Sequence, residues 1–137
     1  MVGILIMSHG EFASGTLHSL KMFMGGQLEK VEALCLGYDE DPKSYANKIE
    51  EAYKRLDDGS GVIGLCDLAG GTPGNICTGL ANDRFQVVLG YNIGFALELL
   101  GKRFSADDVS EIDISDVIST SKDRFVSLNK ILFEDYD

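Results

Sequence analysis

His9 and Asp67 are the two side chains whose types and settings point most directly to chemistry. His9 closes the run GILIMSH (3–9), and Asp67 closes GVIGLCD (61–67). An apolar run that stops on a polar pair and a glycine, as Ser8-His9-Gly10 does, delivers its last side chains into a cleft. A carboxylate that accepts a hydrogen bond from one imidazole nitrogen fixes the tautomer and leaves the other nitrogen's lone pair free to attack an electrophile. It also stabilises the ring once that ring becomes cationic. Directly after Asp67 comes LAGGTPGN (68–75). Gly70 and Gly71 allow a sharp turn and Thr72 offers a hydroxyl. Pro73 then opens a helix whose first amide groups point back toward the strand ends, a geometry that binds anions. With Ser8 counted on the same phosphate-binding side, these residues converge on phosphoryl transfer through a phosphohistidine. The residue set calls for no metal and no cofactor.

These residues can meet only if the elements carrying them are adjacent. Val2 to Met7 reads as a strand covered on both faces, and Ser14 as the cap of a helix carrying Leu17, Leu20 and Met24 that ends at Gly25-Gly26. Residues 31–37 read as a second strand. Asp41-Pro42 opens a helix with Tyr45, Ile49, Ala52, Tyr53 and Leu56 on one stripe. Residues 61–67 form a third strand, followed by a helix from Pro73 bearing Ile76 and Leu80. FQVVLGYN (85–92) and IGFALELLGK (93–102) repeat the strand-helix scheme. Asp113 to Ser121 has the pattern of a helix, and RFVSLNKILF (124–133) suits a last strand or a helix. Strands alternating with helices predict an open, doubly wound α/β sandwich of flavodoxin-like type, with a mainly parallel sheet and helices on both faces. In the order 2-1-3-4, strands 1 and 3 flank the point where strand order reverses, the place where ligands collect. His9 and Asp67 are therefore expected in one crevice.

The 137 residues suit one domain spanning 1–137. With 22 acidic residues against 12 basic ones, the net charge of −10 repels nucleic acids and anionic membrane surfaces. Cys35, Cys66 and Cys77 sit in apolar runs without a CxxC pair, which argues against a disulfide framework or zinc ribbon. The start lacks a basic n-region and no apolar run approaches ~18 residues, so the expectation is a cytoplasmic protein.

The two motifs resemble those of the IIA component of the mannose/fructose/sorbose family of the bacterial sugar phosphotransferase system. SHGEFASG (8–15) is similar to the family's active-histidine segment, and DLAGGTPGN (67–75) to its Asp-x-x-Gly-Gly-[Ser/Thr]-Pro loop. The resemblance runs from the first strand to about Arg103. It implies that His9 accepts a phosphoryl group from phospho-HPr and passes it to a IIB component for uptake and phosphorylation of a sugar, with membrane IIC and IID components involved indirectly. It implies further that Asp67 orients His9, that Gly70, Gly71 and Thr72 form the phosphate-side loop, and that the chain is a homodimer with a C-terminal antiparallel strand exchanged between subunits, here within 124–133. Ala69 and Gly74 stand where family members often carry bulky aromatic residues, a departure expected to widen the cleft beside His9.

Competing readings have less support. A non-catalytic flavodoxin-like module would bind FMN or a small anion in the same crevice and leave His9 unmodified. GSGVIG (59–64) matches G-x-G-x-x-G but enters a strand instead of opening a helix, so it is no dinucleotide fingerprint. A phosphoacceptor-aspartate site needs clustered carboxylates at the end of strand 1, where Ser8-His9 stands. A Cys-His hydrolase would need Cys66 or Cys77, and the side-chain alternation of strand 3 turns Cys66 away from the Asp67 side. His18, beside Leu17 on the first helix, reads as a surface residue.

Overall fold

The fold follows from one alternation. In a computed structural model describing residues 1–26 and 28–134, β1 (Gly3–His9) sends Ile4 and Ile6, with Val2 just before it, into one buried cluster and Leu5 and Met7 into another. Successive side chains of a strand point to opposite faces, so a strand apolar throughout must be covered on both. The covering elements are the predicted ones. β2 (Val31–Leu36), β3 (Val62–Cys66) and β4 (Phe85–Leu89) join β1 in an all-parallel sheet of order β2-β1-β3-β4.

On one face, α2 (Pro42–Leu56) seats Tyr45, Ile49, Ala52 and Leu56 against Leu5 and Met7, with Cys77 of α3 (Thr72–Leu80) completing that layer. On the other, α1 (Phe12–Phe23), α4 (Ile93–Arg103) and α5 (Ile114–Lys122) bury Leu20, Phe95, Leu99 and Val117 over Ile4, Ile6, Ile63 and Leu65. Among the described residues, no helix is long and apolar enough to cross a membrane.

Two local expectations are corrected and one open alternative is decided. Helix α1 begins at Phe12, before Ser14, because Ser8 Oγ accepts the Ala13 N–H at 2.7 Å and does the capping from the end of β1. Ser14 lies inside the first turn and donates its hydroxyl to Glu11 O. Strand β1 also runs two residues beyond Met7, because His9 still pairs in register with Leu36. Residues 128–133 form a helix, α6 (Leu128–Phe133), and no strand is formed by 124–133 in the single chain. This helix buries no residue, and Phe125, Leu128, Leu132 and Phe133 stand exposed.

Candidate functional site

The carboxyl ends of β1 and β3 lie side by side, with Met7 opposite Cys66, and the candidate site is built on the next residues of each strand. His9 remains in strand register, on the face of Leu5 and Met7. Strict alternation would put Asp67 with Ile63 and Leu65 on the opposite face. However, β3 ends at Cys66, so Asp67 is released from the pleat while its N–H still donates to Met7 O at 3.1 Å. Its carboxylate thereby reaches His9: Oδ2 lies 2.8 Å from His9 Nδ1 and accepts the His9 backbone N–H at 3.0 Å. Oδ1 accepts the Leu68 N–H at 3.0 Å and takes a weak S–H contact from Cys66 at 3.6 Å.

Burial alone would raise the Asp67 carboxyl's pKa, but the His9 backbone N–H, the His9 ring and the Leu68 N–H together outweigh it and hold the group below its ordinary value. An ionised carboxylate only accepts hydrogen bonds, so His9 Nδ1 carries the proton and Nε2 of the neutral ring has the free lone pair. The His9 side chain is 44% exposed and that of Asp67 only 11%. The imidazole is thus accessible from solvent and the carboxylate paired with it is largely covered.

The glycine loop abuts that edge. A Cβ added at Gly71 would lie 2.8 Å from His9 Nε2 and closer still to Cε1, so the absence of a side chain is what lets the ring rest against the loop. Gly71 has φ −93° and ψ 174°, ordinary extended backbone, whereas Gly70 has φ +85° and is held in the left-handed region that favours glycine. Gly71 caps α3, and its N–H and that of Thr72 donate to no other group among the described residues. Such free donors at a helix N-terminus, beside a nucleophilic nitrogen, can take up the oxygens of an incoming phosphoryl group.

Of the residues singled out from the sequence, His9, Asp67, Gly70, Gly71 and Thr72 come together. Ser8 does not join them. Its side chain is fully buried on the α1 face, where the hydroxyl donates to Gly10 O and accepts from Ala13, so its part is to cap α1 and not to bind phosphate. Gly74 also departs from expectation: a Cβ there would approach Leu68 O at 3.1 Å and Leu89 Cδ2 at 3.5 Å, so its small size opens space toward the end of β4 and not beside His9. Ala69 is exposed on the loop. Cys66 is buried, and burial pushes its thiol up to about 11, which leaves it protonated and unreactive.

Sequence reasoning passed over Tyr91 and Thr16. Tyr91 lies one residue beyond Gly90 at the end of β4, and its ring is buried between α1 and the strand ends, with its hydroxyl 2.9 Å from Thr16 Oγ1. The available signal was its place: GYN (90–92) ends a strand at the same edge of the sheet as His9 and Asp67.

Comparison with known proteins bears on the family and the fold. Residues 3–114 match the family model EIIA-man, described as PTS system fructose IIA component. The chain is 30% identical over 104 residues to the PTS system mannose-specific EIIAB component of Escherichia coli strain K12, which covers 74% of the chain but only 32% of that longer protein. Its structure is similar to that of the PTS IIA protein associated with the fucose utilization operon from Streptococcus pneumoniae, with a TM-score of 0.83 and 30% identity over 96% of this chain and 99% of that one. Phosphotransferase system component EIIA from Streptococcus agalactiae gives a TM-score of 0.82 and 26% identity, over 95% of this chain and 99% of that one. The chain belongs to the EIIA-man family of phosphotransferase-system IIA components.

Proposed function

We propose that residues 1–137 form one cytoplasmic IIA domain in which His9 is the phosphoacceptor, receiving a phosphoryl group from phospho-HPr and passing it to a IIB component. The phosphoryl group then reaches a sugar through the membrane IIC and IID components. The observation that carries this reading is the pairing of His9 Nδ1 with Asp67 Oδ2 at 2.8 Å, with Nε2 facing the open N-terminus of α3. In the proposed step, the Nε2 lone pair attacks phosphorus, an N–P bond forms and the bond from phosphorus to the donor breaks. Positive charge develops on the imidazole, and the Asp67 carboxylate stabilises it through the Nδ1–H that it already holds. The Gly71 and Thr72 N–H groups, at the positive end of the α3 dipole, receive the phosphoryl oxygens. Onward transfer runs the same step in reverse, with IIB as the nucleophile. No observation favours the FMN-binding alternative.

The test is intact-mass measurement after incubation with enzyme I, HPr and phosphoenolpyruvate. The expected result is a gain of one phosphoryl group that is stable in base, lost in acid and absent from His9→Ala. Label on His9→Ala, or none on the wild type, refutes the reading.

We also propose a homodimer joined through the C-terminal segment, supported by the unburied apolar side chains of 125–133. Light scattering that finds a single-chain mass for the full chain refutes it.

A further inference from the structure

We propose that Tyr91 is a positioning residue for phosphoryl transfer, its hydroxyl tying the helix turn that follows His9 to the strand end that carries Asp67. This inference rests on the carrier role of His9.

The direction of the key hydrogen bond follows from proton accounting. Thr16 has one hydroxyl proton, which it donates to Phe12 O at 2.9 Å. Its remaining contact at 2.9 Å must then be accepted from the Tyr91 O–H. Both residues are buried, Thr16 at 8% exposure and Tyr91 at 5%, so no solvent substitutes freely for either partner. Burial, with the Asp67 charge among the further contributors, pushes the Tyr91 phenol up to about 12. It therefore remains a protonated donor throughout the neutral range.

The main chain of the same segment grips the other half of the site. Gly90 N–H donates to Cys66 O at 2.8 Å, and Tyr91 N–H reaches the same oxygen at 3.5 Å. Cys66 is the residue before Asp67. On the α1 side, the Tyr91 ring packs against Phe12 with centroids 5.5 Å apart and planes inclined at 41°. Phe12 opens α1, only Gly10 and Glu11 separate it from His9, and the adjoining Ala13 N–H is held by Ser8. The path Asp67–Cys66–Tyr91–Thr16–Phe12–His9 thus joins the two residues by a route other than their own hydrogen bond. Such a route sets the spacing of the pair from outside. Tyr91 itself makes no hydrogen bond to His9 or Asp67, so its effect on transfer must pass through α1.

The test compares Tyr91→Phe, Thr16→Val, the double variant and Thr16→Ser in single-turnover transfer from saturating phospho-HPr, with the 15N spectrum of the His9 ring recorded alongside. A misplacement of ~1 Å costs up to ~10²-fold in rate, and the partial loosening expected here corresponds to about 5-fold for each single variant. The double variant is expected to be no slower than either single one, because both remove the same bond. Thr16→Ser, which keeps the hydroxyl, is expected to transfer at the wild-type rate. In the slowed variants the Nδ1–H signal of His9 should shift while the affinity for phospho-HPr stays the same; a purely structural tyrosine would not produce this signature. Wild-type transfer by Tyr91→Phe with an unshifted His9 spectrum overturns the proposal, as does a double variant slowed by the product of the two single effects. If Tyr91→Phe does not fold, Thr16→Val applies the same criteria. A wild-type chain that takes no label refutes the carrier role itself, and the His9 spectra still decide whether Tyr91 holds the ring in place.

Discussion

Replacing Gly71 by alanine should leave the chain folded and nearly abolish phosphoryl uptake. The backbone at Gly71, with φ −93° and ψ 174°, suits any residue, so alanine introduces no backbone strain. Stiffening the unfolded chain should even contribute about 0.4–1 kcal/mol of stability. The cost falls on the imidazole. The new methyl group would stand 2.8 Å from His9 Nε2 and nearer still to Cε1, whereas such atoms rest about 3.5–4.0 Å apart, so the ring must retreat by roughly 1 Å or more, or rotate. Either movement strains the 2.8 Å contact between Nδ1 and Asp67 and covers the reacting nitrogen. A displacement approaching ~1 Å at a reacting group costs ~10²-fold in rate, equivalent to about 2.7 kcal/mol at the transition state. Gly70→Ala is the internal control. Nothing lies within 4 Å of a Cβ there, but φ is +85°, so it should lose ~1–2 kcal/mol of stability and keep most of its transfer rate. The assay pairs rapid-quench labelling by phospho-HPr with urea unfolding. Wild-type labelling of Gly71→Ala, with unchanged His9 ring shifts, would show that the ring does not lean on the loop.

Three further outcomes follow from the same geometry. Asp67→Ala should fold and be labelled ~10²-fold more slowly, because the tautomer and orientation of His9 are no longer set; a normal rate would reduce Asp67 to a turn residue. Ser8→Ala should lose about 1 kcal/mol in urea unfolding through the missing α1 cap and keep its transfer rate; slow transfer at unchanged stability would restore Ser8 to the phosphate side. Burial raises the Cys66 thiol to about 11 and the Cys77 thiol to about 12, against about 8.5 in the unfolded chain. A raised folded value gives stability that is complete below the unfolded pKa and lost as pH rises toward the folded one. Urea midpoints should therefore decline above pH ~8.5 more steeply in the wild type than in a Cys66→Ala, Cys77→Ala double variant, and parallel pH profiles would remove the thiols from the account.

Much of the fold and part of the site were legible in the sequence, because both were written in local patterns. Apolar runs covered on both faces, the Asp41-Pro42 helix start and the glycine turn after Asp67 each depend on residues a few positions apart, and together they imply a parallel α/β sheet, for which the flavodoxin-like order 2-1-3-4 is both expected and observed. That order alone brings His9 and Asp67, 58 positions apart, to neighbouring strand ends. The tertiary structure decided which polar atom meets which. Ser8 and His9 are adjacent in the chain but lie on opposite faces of β1, so one caps α1 and the other faces the loop. Strand pairing ends at Cys66, freeing the Asp67 carboxylate to cross to the His9 side. Gly71 is required by the contact of a ring from another strand and not by its own backbone angles, and Tyr91 finds Thr16 across 75 positions. The C-terminal segment, which suited strand or helix from its sequence, is helical in the single chain. Periodicity assigns a residue to a face, but the partner it meets there depends on where separate elements stop and how closely they pack.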